Sequence, residues 1–137
     1  MAIYMGRGSC YARREGIYVK DRPREGVNVD QEALAIIYLI MRDLRRGKTY
    51  DDRCRVIRMT RKLAKRRINY LIALAKKHGA SGRELKEIRA IVDKYVGRVD
   101  KGKYSLTKED ERRAKKWVVE PRRKKRKRKR ASRRRYA

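Results

Sequence analysis

The order of apolar and polar residues predicts a mainly helical chain. Apolar residues recur at helical spacing over residues 30–46, 50–77, 81–96 and, more weakly, 107–119. Each segment is predicted to form one helix, and the joint at residues 79–80 is short enough to predict that the second and third helices fold back antiparallel. No segment has a strand pattern clear enough to predict a sheet.

Start and stop signals support these boundaries. Thr49 with Asp52, and Ser81 with Glu84, have the spacing of a capping box, in which a hydroxyl and a carboxylate satisfy free amides at the start of a helix. Glycines follow the predicted helix ends, and Gly97 is predicted to stop the third helix.

Residues 1–29 are predicted to form an extended N-terminal arm, because four glycines and a proline interrupt any helix there. Tyrosines recur every seven residues in this arm, either as anchors that pack against a neighbour or by coincidence. The predicted fold class is all-α: a small antiparallel bundle of three to four helices in residues 30–119, preceded by the arm and followed by a basic C-terminal tail at 120–137.

The first predicted helix is apolar on almost every side, with the run ALAIIYLIM at its centre. Such a helix needs cover all round, and one small bundle can hardly supply it. We therefore predict that part of its surface contacts another copy of the chain or a related subunit, through Ile36, Ile37 and Ile40.

Charge is the strongest functional signal. The chain has 44 Lys and Arg against 16 Asp and Glu, a net charge of +28, and residues 122–135 alone hold twelve of the bases and no acid. Such charge opposes a compact monomer by self-repulsion, and a bound polyanion would relieve it. Nucleic acid is the leading partner, and an anionic membrane surface is the rival.

A membrane contact is expected only through an envelope. The longest apolar run has nine residues, whereas a membrane span needs about 20. Nothing at the N-terminus resembles a signal peptide, so the protein is expected to be soluble or part of an assembly.

Two groups of bases are predicted to bind nucleic acid. Residues 53–77, on the second predicted helix, hold ten bases and no acid, whereas a merely solvated helix face normally mixes charges. The bases on one face of this helix are Arg55, Arg58, Arg61, Lys62, Lys65 and Arg66. The second group is the tail, with Arg122, Arg123, Lys124, Lys125, Arg126, Lys127, Arg128, Lys129, Arg130, Arg133, Arg134 and Arg135.

No catalytic, cofactor or metal site is predicted, and the protein is not expected to be an enzyme. The one histidine, His78, stands beside a helix-ending glycine and is expected to act as a cap rather than as a base. No zinc-binding spacing is present. Cys10 and Cys54 are either small buried side chains or a disulfide that ties the arm to a helix, and geometry alone decides between them.

The composition favours contact with the phosphate backbone over the reading of bases. Asn and Gln, which read base edges, total three, and there is no Phe and one Trp to stack on unpaired bases. The predicted target is a duplex held by its phosphates without sequence preference, double-stranded DNA before RNA.

The layout of glycine-punctuated arm, helical body and basic tail resembles the capsid proteins of filamentous viruses that infect hyperthermophilic archaea. The resemblance implies a small helical protein that wraps double-stranded DNA, held in the A form, as a subunit of a helical virion. Scarce thermolabile amides agree with a hot-living source. The basic body and arms also look like an archaeal ribosomal protein that binds ribosomal RNA, and the long middle helix resembles that of a histone-like chromatin protein. Those alternatives imply the ribosome or the nucleoid as the location.

Overall fold

A computed structural model describes residues 9–20 and 29–121. Five helices lie in these two segments, together with four short strands. The helices are α1 (Cys10–Glu15), α2 (Val29–Arg46), α3 (Arg61–Lys77), α4 (Gly82–Asp100) and α5 (Lys108–Lys115). The strands are β1 (Tyr18–Val19), β2 (Lys48–Tyr50), β3 (Val56–Arg58) and β4 (Val118–Val119).

The fold is mostly helical, but the prediction of a purely all-α chain is wrong. β2 and β3 form an antiparallel hairpin in which Lys48 pairs with Arg58 and Tyr50 with Val56. β1 and β4 form a second antiparallel pair, with Tyr18 opposite Val119. Two-residue strands are marginal by themselves, so this second pair depends on the helices around it.

The second predicted helix is where the sequence pattern misleads most. The helix begins at Arg61 instead of residue 50, and Thr60 is its cap, with its hydroxyl accepting a hydrogen bond from the Leu63 amide. Thr49 is not a cap: it is a buried residue of β2. The hairpin turn needs a left-handed backbone, which Cys54 supplies at φ +62°, and a residue in that conformation cannot continue a helix.

The other helices follow the predictions more closely. α4 has the predicted capping box between Ser81 and Glu84, but it runs through Gly97 and ends at Asp100, so the predicted stop is wrong. Gly102, at φ +80°, takes the left-handed conformation just past that end. α5 is shorter than predicted, because the chain turns into β4. The predicted arm is not wholly extended, since it contains α1.

α2 is the centre of the core. It packs against α3, α4, α5, β1 and β2. Ile37 and Ile40 are 0 % exposed and Ile36 is 3 % exposed within one chain. The expectation that a single small domain could hardly cover this helix is therefore wrong, and the predicted subunit contact through these three isoleucines has no exposed surface to use.

Two features hold the N-terminal segment onto this core. Cys10 and Cys54 form a disulfide, with their Cα atoms 5.2 Å apart, so the second of the two alternatives for these cysteines is the observed one. The bond ties α1 to the turn of the β2–β3 hairpin, not to a helix. Further along, the Lys20 amide donates to the Trp117 carbonyl at 2.8 Å and extends the β1–β4 pair.

Candidate nucleic-acid interface

The six bases predicted to share one helix face lie on two elements. Arg61, Lys62, Lys65 and Arg66 are in the first two turns of α3. At 100° per residue these four lie within one arc of about 140°. Lys62 and Arg66 point away from the buried stripe that contains Ala64, Ile68 and Leu71, whereas Arg61 and Lys65 lie beside it. The other two bases precede the helix: Arg58 ends β3, and Arg55 lies in the hairpin turn.

Arg55 is held by its own turn. Its Nε donates to the Asp51 carboxylate at 2.8 Å, and its backbone amide donates to the same group at 2.9 Å. The backbone hydrogen bond from Arg55, followed by that of its side chain, lowers the pKa of Asp51 against the opposing effect of desolvation. An arginine engaged with an ionised carboxylate is a weak phosphate ligand, so Arg55 contributes little to a positive surface.

Arg61 and Lys65 are tied to the segment that follows α4. Lys65 Nζ lies 2.7 Å from the Asp100 carboxylate. Arg61 Nε donates to the Tyr104 hydroxyl, and its guanidinium lies 5.7 Å from the centre of that ring. These contacts fix the connection between α4 and α5 against the start of α3.

Arg58, Lys62 and Arg66 have exposed side chains. No ion pair within 4.0 Å joins any of the three to a carboxylate of residues 9–20 or 29–121. Of the six bases predicted to share one helix face, these three can therefore bind a phosphate without first breaking an internal contact.

The hairpin that carries Arg58 is anchored by a buried polar network. The Asp43 carboxylate is 0 % exposed and accepts hydrogen bonds from the Tyr11 and Thr49 hydroxyls. Arg67 donates to the Thr49 hydroxyl at 2.8 Å and to the Tyr50 carbonyl at 2.9 Å. Arg67 thus points inward, although it is one of the ten bases between residues 53 and 77, because the hairpin supplies acceptors that a continuous helix would lack.

A second network joins α1 to the same region. Glu15 accepts hydrogen bonds from Tyr50 at 2.9 Å and from Arg46 at 3.3 Å. Burial raises the pKa of Glu15, but the hydrogen bonds from Arg46 and Tyr50 outweigh it, and the net pKa is lowered. A small cavity of about 20 Å³ is lined in part by these residues, enough for about one water molecule.

The contact between α4 and α5 is held by a network of paired charges. Asp110 accepts hydrogen bonds from the Tyr95 hydroxyl at 2.5 Å and from Lys94 Nζ at 2.9 Å. Burial raises the pKa of Asp110, and the hydrogen bonds from Tyr95 and Lys94 lower it by more, so the carboxylate stays ionised. This network fixes α5 against α4.

The sequence pattern missed the bases that follow α4. Gly97 predicts a helix stop, so the pattern assigns no structure to residues 98–106 and gives no reason to single out Lys101 and Lys103. In the structure this segment lies beside the start of α3, where Arg61 Nη2 would be 3.5 Å from a side chain at Gly102. The only local signal was the Lys-Gly-Lys order itself.

The predicted basic tail lies outside the described residues. Within 9–20 and 29–121, no group of three or more His, Cys, Asp and Glu side chains is placed to hold a metal ion. None of the helices in these segments is long and apolar enough to cross a membrane.

Comparison with known proteins supplies no relative. No family model matches the chain. No curated protein and no solved structure matches it either.

Proposed function

We propose that this protein is a structural nucleic-acid-binding protein that holds double-stranded DNA by its phosphates, without reading sequence, and packages it. One observation carries the proposal. The described residues have 29 Lys and Arg against 14 Asp and Glu, an excess of 15 positive charges before the tail is counted. A folded body with this excess is relieved of self-repulsion when it binds a polyanion.

The way the acids are used strengthens this argument. Most ion pairs join a helix to another element, such as Arg113 with Asp30 and Arg42 with Glu120. These carboxylates therefore hold elements of the fold together, and none of those in residues 9–20 and 29–121 forms an ion pair with Arg58, Lys62 or Arg66. Surface positive charge left without acids is the electrostatic footprint of a phosphate-binding protein.

The finer form of the proposal is a capsid subunit of a filamentous archaeal virus, with the helices packed as an antiparallel bundle around α2 and the tail laid along the DNA. Its support is the layout of the chain and its charge. The apolar helix that had argued for assembly is covered within one chain, so filament formation rests on the resemblance alone.

Binding of ribosomal RNA is the competing proposal, because phosphates occur in both nucleic acids. The described residues expose no group of aromatic side chains, since Val56 is their only exposed large apolar residue. Recognition of unpaired RNA bases relies on such aromatic stacking. A duplex is therefore the better match for this surface.

Binding titrations over a range of salt concentration test the proposal. With about eight phosphate contacts, the slope of log affinity against log salt is about −7 on duplex DNA, and affinity falls by about four decades between about 50 and 200 mM salt. Duplexes of scrambled sequence should bind equally well. A thousandfold preference for one DNA sequence would overturn the proposal, and so would much tighter binding to a structured RNA than to duplex DNA of equal length.

A further inference from the structure

Three elements bring their bases together at one end of the molecule. The start of α3 follows directly on β3, and the Met59 amide donates to the Gly47 carbonyl at 3.0 Å, so β2 and β3 stay paired up to the helix. From the other side, Tyr104 contacts Arg61, and Arg45 donates to the Tyr104 carbonyl. The chain segment after α4 is thereby fixed against both α2 and α3.

We give the name basic end to the exposed bases of this region whose side chains form no ion pair or hydrogen bond within residues 9–20 and 29–121, which leaves out Arg45 and Arg61. Its members come from β2, β3, α3 and the α4–α5 connection, and all five are exposed: Lys48, Arg58, Lys62, Lys101 and Lys103.

The hairpin part of the basic end is electrostatically unfavourable in the free protein. Lys48 and Arg58 are direct partners in the β2–β3 register. Side chains directly opposite each other on an antiparallel pair are about 5 Å apart at Cβ, and like charges in that position destabilise the sheet. A stability-optimised hairpin would have one acid here, and the only acids of the hairpin lie at its far end, in the turn.

The charges at the start of α3 are also electrostatically unfavourable in the free protein. α2, α4 and α5 each have acidic residues in the first turn, where the helix dipole favours negative charge. α3 has none, and it begins with Arg61 and Lys62. The Thr60 hydroxyl already accepts from the Leu63 amide, so an anion at this end would be bound by side chains and not by that amide.

The connection after α4 adds two lysines without a matching acid. Asp100, the acid nearest in sequence, is engaged with Lys65. Lys101 and Lys103 flank Gly102, whose left-handed backbone turns the chain against Arg61. Local rules of stability are broken most often at functional sites, because the cost is recovered when the ligand binds.

We propose that the phosphates of one duplex backbone are bound at the basic end, by side chains of the hairpin, α3 and the α4–α5 connection together, and not along the length of α3. The inference rests on the proposed function and locates it. It assigns Lys48, Lys101 and Lys103 to the interface, and it removes Arg55, which is engaged with Asp51 at the opposite end of the hairpin.

The test compares two double variants of the full-length protein. Lys101→Gln with Lys103→Gln removes two charges from the basic end. The control, Lys86→Gln with Arg89→Gln, removes two exposed charges from the N-terminal half of α4. At 1.5 Å per residue these two positions lie about 20 Å along the helix from Lys101. Binding to a random-sequence duplex is measured from 50 to 300 mM salt, and circular dichroism confirms that both variants melt as the wild type does.

Removing two phosphate contacts should flatten the salt slope by about 1.8 and weaken binding about 30-fold at about 150 mM salt. The control should change affinity less than about threefold. Lys101→Arg with Lys103→Arg keeps the charge and should keep the wild-type slope. Equal losses in the two double variants, or an unchanged slope for the first, would overturn the location while leaving DNA binding intact. A wild-type protein that fails to bind duplex DNA at low salt would refute the proposed function itself.

Discussion

The bond between Cys10 and Cys54 offers the sharpest test of the fold. It is the covalent link between α1 and the β2–β3 turn, and the two cysteines are 44 residues apart in sequence. Replacing both by serine, or reducing the bond with a dithiol, leaves the net charge unchanged. Any effect on unfolding then reports the bond and not the electrostatics.

The magnitude follows from the chain that the bond closes. A cross-link over about 44 residues removes about 13 cal/mol/K of entropy from the unfolded chain, or about 4 kcal/mol at 25 °C. For a domain of this size the expected loss corresponds to roughly 10–20 °C in melting temperature. With a urea m-value of about 2 kcal/mol/M, the midpoint should fall by about 2 M.

Urea unfolding, followed by circular dichroism with and without dithiol, measures the difference. The Cys10→Ser, Cys54→Ser variant should unfold at the midpoint of the reduced wild type and should be insensitive to dithiol. Thiol labelling of the unfolded protein without reductant should be negligible. A shift of less than about 0.3 M, or full labelling of both thiols, would show that the bond does not tie α1 to the hairpin and would refute the reasoning.

Three further predictions concern the core, the charges and the tail. Ile37→Ala should lower the free energy of unfolding by about 2–5 kcal/mol, because the side chain is fully buried; a urea midpoint equal to that of the wild type would place Ile37 outside the core. Asp110 has a lowered pKa, so its contribution to stability is present above about pH 5 and is lost as the pH falls through the folded-state pKa; thermal melts should show the difference between the wild type and Asp110→Asn shrinking towards pH 2, and a difference that grows there would contradict the assignment. Removal of residues 122–137 should flatten the salt slope for every duplex sequence alike, and a loss confined to one sequence in competition binding would contradict phosphate contact.

Capping residues and helical periodicity predicted α2 and the start of α4, because both signals depend only on residues close together in the sequence. α2 was predicted to within one residue at each end, and the capping box at Ser81 correctly located the start of α4. Capping and amphipathic periodicity depend on neighbours three and four residues apart, so the sequence displays them directly. The end of α4 was missed because a glycine inside a well-packed helix costs only about 1 kcal/mol.

The strands could not be predicted, because they depend on contacts with partners that are more distant in sequence. β1 and β4 have two residues each and pair across about a hundred residues of chain, so nothing nearby marks them. In the hairpin, Thr49 has a capping spacing, but its hydroxyl donates to the buried Asp43 carboxylate instead. The partner lies on the preceding helix, and tertiary contact decided the structure over local preference.

The excess of bases at the candidate interface could be predicted from the sequence, but the position of these bases in the fold could not. The absence of acids between residues 53 and 77 drew attention to a stretch that includes the start of α3, and Arg58 and Lys62 in that stretch are exposed; their role in binding stays a prediction. The grouping of these bases with Lys48 and Lys101 depends on how the hairpin and the α4–α5 connection fold back. The function itself stays a prediction until the binding titrations are done.

The pairing of β1 with β4 also limits which contacts of the fold can form while the chain is being synthesised. Tyr18 must wait for Val119, which a translating ribosome adds 101 residues later, after about 5–20 s at typical rates of synthesis. Through that interval α2, α3 and α4 can already form their contacts, whereas β1 has no strand to pair with. The β1–β4 pair can therefore form only after residue 119 has been made, and until then the segment that carries β1 is held to the rest of the fold by other contacts, such as the Cys10–Cys54 bond.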